Sequence, residues 1–495
     1  MRYVSTRGDA PSLNFVEVTL AGLARDGGLY VPETWPQLDA ETIAGFAGKP
    51  YAEVAADVIG PFVGDTIAPG DLARMLREAY DTFRHPAVAP LTQLAPGTFV
   101  LELFHGPTLA FKDLAMQLIG RLMDHVLAKR RERTTVVVAT SGDTGGAAVE
   151  AFRGRAQVDL VMLFPNGRIS DVQRRMMTTA PEDNVHALAI EGTFDDCQAI
   201  VKGLFNHHAF RDRVRLSGVN SINVARIVAQ VVYYVTAAVA LGAPARKVAF
   251  TVPTGNFGDI FAGYVASRMG LPVDRLVIAT NVNDILARAL KSGAYELHAV
   301  TPTASPSMDI QVASNFERAL FEAMDRDAKT VRTMMAALVQ SRRFVIPARA
   351  LADLRAVFSA DCADEQETAA TIRTVKRERH VGAQHARVIG GGLDAGCRIE
   401  VAADRLDLLG DLAGAAPGRA LERHVLEEMR NAVLFRRFIA TAGRDPDAER
   451  SRLQVRHGVR DHDQPRPETG DFDTHAAAPS RATRLTLEMK CSTAA

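Results

Sequence analysis

A lysine in the first turn of a helix is awkwardly placed, because the partial positive charge at a helix N-terminus opposes it. Lys112 has such a position in His105-Gly106-Pro107-Thr108-Leu109-Ala110-Phe111-Lys112-Asp113. An apolar run ends near Phe104, Gly-Pro turns the chain, and a helical pattern starts near Phe111. The lysine therefore sits at the C-terminal end of a strand, where open α/β sheets bind ligands. An amine held there is suited to losing its charge in a Schiff base with a carbonyl compound. Taken alone, the residue also fits a solvated surface lysine.

Two further turns have the same setting. Ala139-Thr140-Ser141-Gly142-Asp143-Thr144-Gly145-Gly146-Ala147 follows a strand and opens a helix. So does Pro253-Thr254-Gly255-Asn256-Phe257-Gly258-Asp259. Small residues let the backbone approach a ligand, and the free N–H groups of a helix N-terminus attract anions. The second turn lacks the Gly-Lys-Ser/Thr ending of a Walker A loop and is not G-x-G-x-x-G, which argues against nucleoside triphosphates and dinucleotides. Each turn alone also fits a plain tight strand–helix connection. A lysine and two phosphate-type turns in one unit together suggest a phosphorylated aldehyde cofactor.

The elements that must position these residues are strands alternating with helices. Short apolar, β-branched runs lie at Thr98–Leu103, Thr134–Ala139, Asp159–Phe164, Val185–Ile190, Lys247–Val252 and Leu276–Thr280. Helical stretches such as Lys112–Lys129, Phe194–His207, Ile222–Leu241 and Asp259–Met269 separate them. That alternation predicts an α/β fold with parallel sheet, preceded by a mostly helical segment over residues 1–95. The apolar stretch Ile227–Ala245 contains Gln230 and ends in Gly242 and Pro244, so it reads as a buried helix rather than a membrane span.

Bulk properties narrow the function classes. A hydrophobic fraction of 47% and a charged fraction of 23% fit a globular protein with a sizeable core. Lys+Arg and Asp+Glu balance at 58 each, which favours neither nucleic acid nor an anionic membrane as partner. The cysteines, Cys197, Cys362, Cys397 and Cys491, form no C-x-x-C pair, which argues against a disulfide framework or zinc site. No secretory signal pattern is visible, so a cytoplasmic location is expected.

Together these strings resemble the threonine synthases, which are fold type II pyridoxal-phosphate enzymes. The resemblance runs from residue 1 to about 379. It includes Tyr3–Gly8, Asp26–Pro32, Gly106–Asp113, Ser141–Gly146, Leu163–Pro165, Ser170–Arg175, Asn220–Asn223, Gly255–Asp259 and Ser305–Ile310. It implies two parallel-sheet α/β lobes over 96–379 behind the N-terminal segment. It implies pyridoxal 5'-phosphate joined to Lys112, which is also the catalytic proton carrier. The cofactor phosphate is implied on Gly255, Asn256, Phe257, Gly258 and Asp259. Ser141, Asp143 and Thr144 are implied beside the ring and the substrate carboxylate; many fold type II relatives have Asn where Asp143 stands. Asn220, Ser221 and Asn223 are expected on the substrate side, although local turn capping explains them equally. The implied reaction converts O-phospho-L-homoserine and water to L-threonine and phosphate, with no metal. A phosphate monoester calls for arginine, and Arg175, with Arg7, Arg174 and Arg226, is a candidate.

The resemblance fades after Glu367–Val375. A Thr-Ala-His-Pro-Ala-Lys-Phe-type motif, whose threonine faces the cofactor's pyridine nitrogen in the family, is not found. Residues 380–495 are instead rich in Arg, Ala, Gly and His, with stretches such as Arg460–Pro467 dense in charge and proline. Two origins fit: a genuine divergent tail, or out-of-frame reading of a GC-rich gene. Disorder is expected from about residue 441. Two alternatives accompany the threonine synthase reading. One is a related pyridoxal-phosphate lyase or dehydratase acting on another amino acid. The other is a protein that binds the cofactor but is inactive for want of the C-terminal motif.

Overall fold

The computed structural model describes residues 1–370 together with the short segments 397–402, 453–456 and 486–489. Two sheets organise it. In the first, the strands run in the spatial order Val185–Ile190, Val158–Pro165, Thr134–Ala139, Leu216–Ser217, all parallel. The second has the order Phe358–Cys362, Val273–Thr280, Val248–Pro253, Cys397–Ala402, Thr98–Glu102, Leu91–Ala95. Only its last pair is antiparallel. The apolar runs lack a two-residue alternation because helices cover both faces of the strands. Thr134–Ala139, for example, is buried everywhere except at Thr135.

The helix Val224–Ala240 is the apolar stretch read as a buried helix, and it packs against Tyr51–Val63, Asp113–Arg130 and Gly258–Arg268. Asn223 caps its start by accepting the Ala225 N–H at 3.0 Å. Among the described residues, no helix is long and apolar enough to cross a membrane.

The first ninety-five residues contain the expected helices, Phe15–Ala21, Ala40–Ala44, Tyr51–Val63 and Pro69–Tyr80. They also contain an unexpected antiparallel sheet, ordered Leu13–Asn14, Arg2–Ser5, Tyr30–Pro32. Strands this short carry too few alternations to register as a pattern.

Part of the C-terminal region has structure that composition did not suggest. The backbone of Cys397–Ala402 runs parallel between Val248–Pro253 and Thr98–Glu102. Leu453–Arg456 pairs antiparallel with Thr486–Met489, so the expectation of disorder from residue 441 fails for those two segments. For the rest of 380–495, and for the question of its reading frame, that expectation lies outside the described residues.

Candidate active site

The Lys112 turn is held by its own neighbour. Asp113 is fully buried and accepts both the Thr108 N–H and the Thr108 hydroxyl, each at 2.7 Å. Burial pushes this carboxyl up to about 7, against the pull of the two Thr108 hydrogen bonds. A Cβ on Gly106 would lie 2.5 Å from the Asp113 side chain, so only glycine fits there. Leu109 takes a left-handed backbone, at φ 64°.

This turn sends Lys112 inward. The residue is 6% exposed, which rules out the solvated-lysine reading. Its Nζ donates to Asp143 Oδ2 at 2.6 Å, and Asp143 Oδ1 accepts from Gln173 Nε2 at 2.6 Å. The ammonium also lies 4.5 Å from the centre of the Phe111 ring.

The second turn is organised by Thr140, whose hydroxyl accepts the N–H groups of Gly142 at 2.9 Å and Gly145 at 2.8 Å. Gly142 has φ +133°, a conformation L side chains rarely adopt. The helix Asp143–Phe152 follows directly.

The third turn starts the helix Gly258–Arg268, which has no side-chain cap. Its N-cap, Phe257, is left-handed at φ 65°. That backbone costs about 1–2 kcal/mol for a side-chain-bearing residue. Burying a phenylalanine returns about 1.5–3 kcal/mol. Phe257 is 1% exposed and wedged between Phe316 and Phe358, each ring centre 5.3 Å away. The Asn256 carbonyl accepts both the N–H and the side-chain amide of Asn315, each at 3.0 Å. Asn315 in turn accepts from Arg318. Arg318 is fully buried and also donates to the carbonyls of Tyr30 at 3.0 Å and Ile222 at 2.6 Å. Asp259 receives the hydroxyls of Tyr233 at 2.5 Å and Tyr234 at 2.8 Å, while burial pushes its carboxyl up to about 6.

Most of the residues singled out in the sequence share one cavity. Lys112, Ser141, Thr144, Asn220, Ser221 and the whole run Gly255–Asp259 line it. Asp143 reaches it through its bond to Lys112. Asn220 ties the cavity wall together by donating to the Ala139 carbonyl at 3.0 Å. Asn223 is engaged elsewhere: besides capping, it donates to the carbonyls of Thr19 and Gly218, each at 2.9 Å. The capping reading therefore accounts for Asn223.

Of the arginine candidates, Arg175 is exposed on the helix Asp171–Thr178 and does not line the cavity. Arg174 pairs with Asp171, and Arg7 holds Glu317 through two bonds. Arg226 alone of the four is a wall residue. Sequence reasoning gave no role to Gln173, Asn315 or Arg318. Gln173 stands in the Ser170–Arg175 string, which could have flagged it; nothing local to Asn315 or Arg318 signals their reach to residue 256.

A buried lysine facing two helix-opening turns, across parallel sheets, defines a pyridoxal-phosphate-dependent enzyme of the fold type II class. The family model described as pyridoxal-phosphate dependent enzyme matches residues 84–375. A second, described as threonine synthase N terminus, matches residues 2–80. The chain belongs to the threonine synthase family. It is 54% identical over 377 residues to the threonine synthase of Pseudomonas aeruginosa, covering 76% of this chain and 80% of that one. A crystal structure of pyridoxal-phosphate-bound threonine synthase from Brucella melitensis superposes with a TM-score of 0.75 at 57% identity, covering 82% of this chain and 89% of that one. Yeast threonine synthase gives 0.71 at 39% identity, covering 76% and 79%.

Proposed function

We propose that this chain converts O-phospho-L-homoserine and water to L-threonine and inorganic phosphate, as a cytoplasmic enzyme of small-molecule metabolism. The observation that carries the reading is the Lys112 amine, buried at the wall of a cavity that two phosphate-type turns also line.

The residues present fit pyridoxal phosphate. Gly258 leaves little room for a side chain: a Cβ there would meet the Asn315 amide nitrogen at 3.3 Å and atoms of Ser221 and Ile227 at 3.4 and 3.6 Å, so the bare glycine keeps the turn's backbone open to a ligand. The uncapped start of its helix offers N–H groups and a favourable dipole to a phosphate. Gly255, Asn256, Phe257, Gly258 and Asp259 would hold that group, and Lys112 would hold the aldehyde carbon. When bound, the cofactor supplies an electron sink that acidifies the α and then the β C–H bonds of the amino acid.

The protein's own groups do the rest. Lys112, once free as an amine, is the base that takes a proton from carbon and returns it. Asp143, 2.6 Å from Nζ, keeps that amine on the cavity side and stabilises its protonated form. Gln173 fixes the carboxylate from behind. Ser141 and Thr144, in the turn braced by Thr140, bind and orient the substrate carboxylate. Asn220 and Ser221 line the same cavity, and Asn220 is tied to that turn through the Ala139 carbonyl. Phe111, Phe194 and Met308 line the cavity and limit stray water. Phosphate leaves from the γ-carbon, and one water adds at the β-carbon.

Incubation of the purified protein with O-phosphohomoserine, serine and threonine tests the reading. The expected outcome is phosphate and threonine in equal amounts from the first. Ammonia and a keto acid from serine or threonine, with no turnover of O-phosphohomoserine, would replace this reading with a dehydratase.

A further inference from the structure

A second cleft, of about 320 Å³, lies where the N-terminal segment meets the edge strand Leu216–Ser217 of the first sheet. None of its lining residues lines the catalytic cavity. Its volume falls within the range of small-molecule sites, about 300–1,000 Å³. One part of the wall is aliphatic, with Leu13, Leu20, Leu127 and Leu216. The other part is charged, with Arg25, Arg211 and Arg215 against Glu132 and Asp212.

The charges are unevenly matched. Asp212 pairs with Arg25 at 2.6 Å, and Glu132 with Arg215 at 3.5 Å. Among the described residues no carboxylate pairs with Arg211, although that side chain is the most buried of the three arginines, at 6% exposed. Its Nη2 donates to the Leu23 carbonyl at 2.6 Å and, at 3.4 Å, to the Ala21 carbonyl. Its guanidinium carbon lies 5.2 Å from the centre of the Phe205 ring, a contact made through the flat face. The in-plane donors Nε and Nη1 have no hydrogen-bond acceptor among the described residues, and neither is shut off from solvent. Burial and the neighbouring charge of Arg25 both lower the pKa of Arg211, as expected of a cation short of a counter-charge. Guanidinium still keeps its proton, so the cleft holds a buried, permanent cation with in-plane N–H groups to spare.

We propose that this cleft is a binding site for a small carboxylate with a branched aliphatic body, seated on Arg211. A carboxylate matches the guanidinium fork through paired N–H···O bonds. The leucine wall takes the aliphatic body out of water, which an inorganic anion would leave unused. The Tyr30 hydroxyl, engaged only in a 3.5 Å bond to the Pro11 carbonyl, also lines the cleft and is placed to bond the ligand. Aliphatic α-amino and α-keto acids share this chemistry. Asp212 and Glu132 distinguish the two sources, because only the amino acid brings an ammonium group to them.

The test is calorimetric titration of the full-length chain with isovalerate, which carries a carboxylate on a branched aliphatic body. Isoamyl alcohol supplies a similar body without the charge, and sulfate the charge without the body. The expected result is saturable binding of isovalerate at concentrations up to about 10 mM, with neither control binding. Arg211→Gln should weaken isovalerate about tenfold or more. Ala21→Leu keeps Arg211 and fills the cleft from its wall, and it should weaken isovalerate as much; it decides the matter if Arg211→Gln does not fold. L-leucine and 4-methyl-2-oxopentanoate are then compared, and the tighter of the two identifies the amino or the keto series as the natural source. The proposal is overturned if isovalerate does not bind, if isoamyl alcohol binds as well as isovalerate, or if the folded variants bind isovalerate as wild type does, which would place the binding elsewhere. None of these readouts depends on the reaction proposed above, so a chain that makes no threonine leaves the test intact.

Discussion

Arg318→Met offers a direct test of how the phosphate turn is held. The side chain is fully buried and ties three segments together: Tyr30 from the N-terminal sheet, Ile222 ahead of the long central helix, and Asn315, which supports the Asn256 carbonyl. Methionine keeps much of the volume and removes every donor. Three buried acceptors then lose a partner, at about 1–3 kcal/mol each. Against that, a guanidinium with no carboxylate in contact is no longer buried; burial alone holds it down at about 9. Offsetting part of the loss leaves a net destabilisation of about 3 kcal/mol. At about 1–1.5 °C per kcal/mol for a fold of this size, the thermal midpoint should fall by about 3–4 °C. Pyridoxal phosphate should also bind more weakly, because Asn315 loses its anchor and the turn it braces loosens. Differential scanning calorimetry and cofactor titration read the two effects. A variant within about 1 °C of wild type, with unchanged cofactor affinity, would show that Arg318 does not couple these segments.

Further predictions follow from single contacts. Lys112→Ala should abolish turnover and the visible cofactor band, and borohydride reduction of the wild type should tag Lys112; a tag on another lysine refutes its role. Gly255→Ala should lose stability and bind pyridoxal phosphate more weakly, because its Cβ would stand 2.7 Å from the Ser307 carbonyl oxygen, whereas Gly258→Ala, whose Cβ would press on the Asn315 amide at 3.3 Å, should lose less stability while still weakening the cofactor; equal melting of the two would contradict this. Asp113 makes stability fall as pH rises from about 4 to about 7, since a carboxyl raised from 3.8 to about 7 keeps its proton in the folded state after the unfolded chain has lost it. Asp113→Asn keeps the Thr108 contacts and should flatten that slope, by an amount on the order of 4 kcal/mol at most; an unchanged urea-denaturation slope across the window would mean the carboxyl is not held neutral.

The sequence made the strand-and-turn framework legible because three chemically distinctive turns, at Gly106–Asp113, Ser141–Gly146 and Gly255–Asp259, each interrupt an apolar run and open a helix. Their small residues and single lysine carry the pattern locally. What stayed hidden depends on distance along the chain. Arg318 reaches residues 30 and 222, and Gln173 backs Asp143 across thirty positions. No spacing rule encodes such contacts. The three-strand N-terminal sheet escaped for a different reason, because strands of two to four residues leave no period to detect. Arg175 and Arg226 were indistinguishable as letters; burial and cavity position separate them.

The left-handed Phe257 has a consequence for how this site can be inherited or engineered. Its conformation is not written in Pro253–Asp259 alone, because the rings that clamp it, Phe316 and Phe358, arrive about sixty and a hundred residues later in the chain. A peptide or graft carrying only the Gly-Asn-Phe-Gly-Asp letters would relax toward an ordinary right-handed turn. The motif is therefore not a portable module. Moving it to another scaffold means moving an aromatic clamp assembled from three separate stretches, and a nascent chain acquires the finished turn only after the strand that starts at Phe358 has emerged.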